Sequence, residues 1–250
     1  MNMAKIVTVT NQKGGVGKTT LACHLAFAAQ ETGKRVLLVD FCGQGNASQF
    51  LTRDLRINKK RGGAETLFNG GELTFTDTPM DNLKVLHGHL YLEELDQRQG
   101  EILERAVKLR QTVRALPFDY IIFDTPPALG PRIAGPLLWS DLAILTVQPK
   151  FSSITGLDDT FDTIKGVKRA NPGLAIRLVV NLYTRSSKTQ RKYREELQNR
   201  FGSALIEEFP SRTPVSDALD NFKPVWQHAR DKKLGQHWKS FADRVLDLTA

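Results

Sequence analysis

Lys13-Gly14-Gly15-Val16-Gly17-Lys18-Thr19-Thr20 decides the fold of this 250-residue chain. The stretch follows a β-branched run, Ile6-Val7-Thr8-Val9-Thr10, which predicts a strand, and precedes residues 21–30, which predict a helix. Strand, glycine-rich loop and helix in that order make a phosphate-binding loop. Gly14, Gly15 and Gly17 let successive backbone N–H groups converge on one anion, and the helix starting near Lys18 adds the positive end of its dipole. Lys18 is placed to reach the β- and γ-phosphates and the Thr19 hydroxyl to ligate Mg²⁺, with Val16 and Thr20 completing the cofactor-binding stretch.

Lys18 alone satisfies an ordinary phosphate loop, so Lys13 at its head calls for a separate account. The pattern K-G-G-x-G-K-T-T resembles the deviant Walker A box of the ParA/MinD family of ATPases. That resemblance implies a catalytic Lys13 that crosses to the nucleotide of a partner subunit, in a homodimer formed with ATP. It extends along the chain. Arg35 to Asp40 predicts a second strand ending in a carboxylate, and Gly43-Gln44-Gly45-Asn46-Ala47-Ser48 is similar to the family's P-Q-G-N-A-T. Phe118 to Asp124 has the form of a Walker B strand, and Thr125-Pro126-Pro127 completes a D-x-P-P. Ser140-Asp141 before the strand at 142–147, and Ser152 to Gly156 after Gln148-Pro149, keep the family's order. By resemblance, Asp40 and Asp124 join Thr19 around the metal and its waters, because Mg²⁺ keeps much of its hydration shell. Asn181 and Phe209-Pro210 are similar to stretches that approach adenine, where main-chain atoms do most of the gripping.

One position departs from the family. Its two acids after the second strand form D-x-D, the second orienting the attacking water twenty-four positions after the loop lysine; counted from Lys18, that place holds Cys42. A thiol is a poor proton acceptor in that geometry, so hydrolysis is expected to be slow while nucleotide binding and dimerisation survive. Cys42 is compatible with a native sluggish ATPase, with one relying on another residue, or with an engineered Asp→Cys change that traps the ATP state. It is also compatible with a small buried filler, as free cysteines often are.

The length suits one α/β domain over residues 1–250, a doubly wound, mostly parallel sheet with helices on both faces. No helix-turn-helix domain is expected ahead of the first strand, nor a signal peptide or bilayer-spanning run, so a cytoplasmic protein is expected. Cys23 and Cys42 are the only cysteines and make no C-x-x-C, which argues against the iron-sulfur reductases that share this loop. Residues 52–78 predict a loop with a short helix around 64–68, partner-facing or mobile. His87-Gly88-His89 predicts an ordinary strand-end pair rather than a metal site, and His24 a capped or core-edge histidine.

The formal net charge is +8. Arg185, Lys188, Arg191, Lys192 and Arg194 arrive with no acid between them, and Arg230, Lys232 and Lys233 form a second group. Such clusters without an aromatic platform predict salt-sensitive, sequence-independent binding to duplex DNA. Leu234, Trp238, Phe241, Val245 and Leu248 at near-helical spacing fit a final helix packed on the sheet better than the membrane anchor of the MinD branch. The resemblance therefore implies a partition ATPase that uses ATP and Mg²⁺, holds non-specific double-stranded DNA as a dimer near the nucleoid, and answers to a ParB-like partner. Alternatives are an ATP-locked scaffold, or a positioning ATPase for a protein cargo or the division site.

Overall fold

The structure, a computed structural model, describes residues 3–70 and 72–249. The elements run β1 (Lys5–Thr10), α1 (Lys18–Glu31), β2 (Val36–Asp40), α2 (Asn46–Thr52), α3 (Thr66–Asn69), β3 (Thr76–Asp77), β4 (Leu83–Leu86), α4 (Glu94–Gln97) and α5 (Gln99–Arg114). They continue β5 (Tyr120–Asp124), α6 (Pro131–Trp139), β6 (Leu142–Val147), α7 (Phe151–Lys168), β7 (Ala175–Tyr183), α8 (Lys188–Phe201), β8 (Leu205–Pro210), α9 (Thr213–Asp220), α10 (Val225–His228) and α11 (Lys232–Asp247). Single 3-10 turns lie at Ile57–Lys59 and Leu90–Glu93.

Among the described residues eight strands form one sheet in the order β3-β4-β2-β5-β1-β6-β7-β8, parallel throughout except for the short β3. Residues of β2, β5 and β6 are buried without exception, as expected for parallel strands covered on both faces. One hydrophobic layer gathers α3 and α5 to α8, the other α1, α2, α9 and α11, which gives the doubly wound α/β arrangement that the sequence predicts. The chain reverses direction across the sheet at β1, and ligands of such folds bind beyond the carboxyl ends of the strands at that point.

Register then places the chemistry. Asp40 closes β2 and Asp124 closes β5, the two pair directly across the sheet, and Val9 of β1 pairs with Asp124. Both acids therefore stand at the carboxyl edge beside the phosphate loop.

Two expectations change. Residues 52–78 are more structured than predicted: Ile57, Ala64, Leu67 and Phe68 are buried, and Phe68 lies against Trp139 with ring centroids 5.1 Å apart. Its few apolar residues are scattered among charged and polar ones, so the sequence shows no periodicity, yet these four reach the core while Leu55 stays exposed. α11 buries Leu234, Trp238, Phe241 and Val245 against α1, whereas Leu248 is exposed. No helix among the described residues is long and apolar enough to cross a membrane.

Candidate functional site

The loop between β1 and α1 is held at both ends. Asn11 is buried; its Nδ2 donates to the Thr146 carbonyl (2.8 Å) and its Oδ1 accepts from the Lys13 backbone N–H (2.9 Å). At the far end the Asn181 side chain donates to the Val16 carbonyl (3.0 Å). Gly17 combines φ 89° with a neighbour so close that a Cβ would sit 2.2 Å from Asn181 Nδ2, so only glycine fits. No side chain caps α1 at Gly17, which leaves the first N–H groups of the helix available to an anion.

The two loop lysines diverge. Lys18 is buried, lines the cleft and donates to the Lys13 carbonyl (2.9 Å); burial lowers its pKa, opposed by the nearby Asp124 charge. Lys13 reaches out of the loop to Ser152 Oγ (2.5 Å) and Ser153 Oγ (3.0 Å) at the start of α7. It does not line the cleft of its own subunit.

Beneath the loop sit two buried carboxylates. Asp124 Oδ2 accepts from Thr19 Oγ1 (2.7 Å), while Asp124 Oδ1 is buried with no partner among the described residues. Desolvation, and next the Asp40 charge, push the Asp124 carboxyl well above the ordinary range. Two buried acids facing one lysine, with one carboxylate oxygen orphaned beside a threonine hydroxyl, suit a divalent cation: the donors are hard oxygens and the missing charge is positive. Asp40 also shapes the loop before α2: its Oδ1 accepts from the Cys42 backbone N–H (2.9 Å), and its Oδ2 from Ser48 N (3.0 Å) and Oγ (2.8 Å). Ligand atoms of Asp40, Cys42 and Asp124 lie within 4.8 Å of one another, a cluster that could hold a metal ion.

Cys42 lines the cleft, its Sγ donating toward Asp124 Oδ2 at 3.9 Å. Burial first, then the charges of Asp124 and Asp40, push its thiol well above the usual value. It is a neutral thiol and therefore no base.

The cleft holds about 900 Å³, the size of a nucleotide site. Gly14, Gly15 and residues 17–20 line it, with residues 42–44, Asn46 and Arg132, and with Asn181, Leu182 and residues 210–213, 215 and 216, whereas Val16 is buried. Pro210 and Asn181 line the cleft. Phe209 is corrected: its ring is fully buried and stacks on Trp238 at 4.2 Å, because strand alternation points it to the core. Arg132 and Glu93, also on the walls, carried no local signal in the sequence.

His24 is deeper than a core-edge residue. Fully buried on α1, its Nδ1 donates to the Thr20 carbonyl (2.7 Å) and its Nε2 accepts from the Val225 N–H (3.0 Å), which fixes the neutral tautomer. Burial lowers its pKa to about 4. His89 donates to Glu65 Oε2 (2.5 Å) and His87 bonds the Lys60 carbonyl (3.2 Å), so the pair is structural.

Of the basic residues, Arg185, Lys188, Arg191 and Lys192 are exposed around the start of α8, and Arg191 also donates to the Arg185 carbonyl. Arg194 is corrected: it is half-buried and ion-paired with Glu208 on β8, an acid fourteen residues on that the sheet brings beneath it. Arg230, Lys232 and Lys233 are exposed at the start of α11, in the opposite layer from α8.

A family model described as an AAA domain matches residues 4–176. The chromosome partitioning protein ParA of Caulobacter vibrioides is 30% identical over 237 residues, spanning 90% of this chain and 87% of that protein. The structure of an aspartate-to-alanine variant of Cyanothece McdA in complex with ATP superposes with a TM-score of 0.86 over 99% of this chain and 98% of that one, at 16% identity. Cobyrinic acid a,c-diamide synthase of Mycobacterium smegmatis, with a bound ATP analogue and magnesium, gives 0.79 over 97% and 94%, at 25% identity.

Proposed function

This chain belongs to the ParA/MinD family of deviant Walker A ATPases, on the partition side that includes ParA, and on that premise we propose a slow, ATP-dependent dimerising partition ATPase. Its substrate is ATP. Backbone N–H groups of Gly14 to Thr20 hold the phosphates, Lys18 neutralises them, and Asn181, Pro210 and their neighbours border the base. Thr19 and Asp124 would hold Mg²⁺, which neutralises developing charge on the phosphates when bound.

The observation that carries the proposal is the divergence of the two lysines. Lys18 turns into its own cleft, whereas Lys13 points out of it toward α7, where it donates to Ser152 and Ser153 and from which it is handed to the nucleotide of a second copy. Arg185, Lys188, Arg191 and Lys192 make a row of exposed cations that neutralises DNA phosphates without reading bases. A ParB-like centromere-binding protein then stimulates hydrolysis and releases the dimer, close to the nucleoid in the cytoplasm.

The neutral thiol of Cys42 favours a second reading, an ATP-locked scaffold that binds DNA and does not turn over. Size exclusion with ADP, ATP and a slow-hydrolysing analogue tests the main proposal. The parent protein shifts to a dimer with ATP and the analogue, and Lys13→Gln stays monomeric while still binding nucleotide. A monomer under all three conditions contradicts it, and a stable ATP dimer without any ADP production selects the scaffold.

A further inference from the structure

The wall that carries Cys42 lacks the carboxylate expected there, and a different carboxylate faces that wall. Among the described residues lining the cleft, Glu93 is the only acid; Asp40 and Asp124 are fully buried beneath it. Glu93 ends the 3-10 turn Leu90–Glu93. Its neighbours are spoken for, Glu94 by Arg61 (2.7 Å) and Asp96 by Arg132 (2.5 Å). The Glu93 carboxylate is exposed to the cleft, with no hydrogen bond or ion pair to any described residue.

The segment that carries it is fastened to the Cys42 segment. A Cβ on Gly88 would meet the Cys42 carbonyl at 2.4 Å and the Asp40 carbonyl at 2.9 Å, so the two backbones touch. The Gly88 N–H donates to Ser48 Oγ (2.9 Å), the hydroxyl that also binds Asp40. Arg132 closes the arrangement: it holds Asp96 with Nε and Nη2 and donates from Nη1 to the Phe41 carbonyl (3.3 Å). Glu93 Oε1 consequently lies 3.8 Å from where a Cβ on Gly43 would stand, one residue from Cys42.

We propose that Glu93 is the catalytic carboxylate of this chain and orients the attacking water in place of the absent aspartate; the proposal rests on the ATPase reading above. The water oxygen bonds to the γ-phosphorus as the bond from that phosphorus to the β–γ bridging oxygen breaks, its electron pair staying on ADP. The water proton passes to the Glu93 carboxylate and leaves with solvent, so that ATP and water become ADP, phosphate and a proton. Glu93 reaches the site from an exposed turn on a longer arm than aspartate, so its preorganisation is weaker. Turnover is slow for that reason, and not absent.

The test uses the full chain with Mg²⁺ and duplex DNA, comparing parent, Glu93→Gln and Glu93→Gln/Cys42→Asp. Affinity for a fluorescent ATP analogue, single-turnover ATP cleavage and the lifetime of the ATP dimer are measured; a thermal melt confirms folding. Glu93→Gln keeps the parent's nucleotide affinity, cleaves about 100-fold more slowly and lengthens the dimer's life. Cys42→Asp restores cleavage in that background. Cleavage by Glu93→Gln at the parent rate overturns the proposal, as does a parent that binds ATP and never cleaves it. A parent that fails to bind the analogue overturns the ATPase reading itself.

Discussion

The two halves of the nucleotide cleft are built to different standards. On the phosphate side Asn11 and Asn181 pin the loop, Gly17 fits only as glycine, and Lys18 already has a hydrogen-bond partner. On the γ-phosphate side a neutral thiol stands where the family's second acid is expected, Asp124 keeps an orphaned oxygen, and the nearest cleft-lining acid, Glu93, is unpaired among the described residues. In the proposed ATPase, binding and turnover are thus separable within one fold, because each is assigned to a different wall attached to different strands.

The largest effect expected from breaking the phosphate side comes from Lys18→Ala. Lys18 is buried beside Asp124, and its loss removes the main countercharge for both phosphate and carboxylates. Nucleotide affinity falls by about 100-fold, the scale of a charged hydrogen bond lost from a buried site, as isothermal titration would read. An equal affinity would show that the backbone cradle alone binds phosphate.

Acid breaks the phosphate side next. His24 joins α1, directly behind the loop, to Val225 at the start of α10 and packs against Trp238 of α11, and it must stay neutral to do so. Its pKa of about 4 in the folded chain lies below the ordinary 6.5, so the unfolded chain binds the proton first as pH falls. The stability contributed is fully present above pH 6.5 and is lost through the interval down to about 4, amounting to about 3 kcal/mol. Urea titrations at pH 7 and at pH 4.5 measure it. His24→Phe, which cannot take the proton, is expected to flatten that part of the pH dependence.

Those residues differ in how far the sequence reveals them. The strand, loop and first helix are legible because β-branched runs and positive-φ glycines are local preferences, and Asp40 and Asp124 are legible as acids ending apolar runs. What those acids touch is not local: Asp40 is claimed by Ser48, and the sheet register sets the Asp40–Asp124 approach. Glu93 shows nothing in its own neighbourhood, since the contact of Gly88 with Cys42 and the bridge through Arg132 arise only on packing. Arg194 misleads for the same reason, its partner Glu208 coming from the next strand.

The smallest expected effects lie outside the cleft and sharpen the comparison by leaving both walls alone. Lys192→Ala removes one exposed cation from α8, and the slope of log affinity for duplex DNA against log salt is expected to fall by about 1. Arg194→Ala, which removes a cation already paired with Glu208, leaves that slope nearly unchanged. Fluorescence anisotropy across a salt series distinguishes the two, and equal effects would return Arg194 to the DNA face.

Steady-state ATP turnover of the parent and of Cys42→Asp, with ATP affinity measured on the same samples, tests the central claim most directly. The separation of binding from turnover predicts that the aspartate raises turnover by about 100-fold, the scale of a positioned acid–base group, while affinity stays the same. Turnover that does not rise, or that rises only in step with affinity, would contradict it.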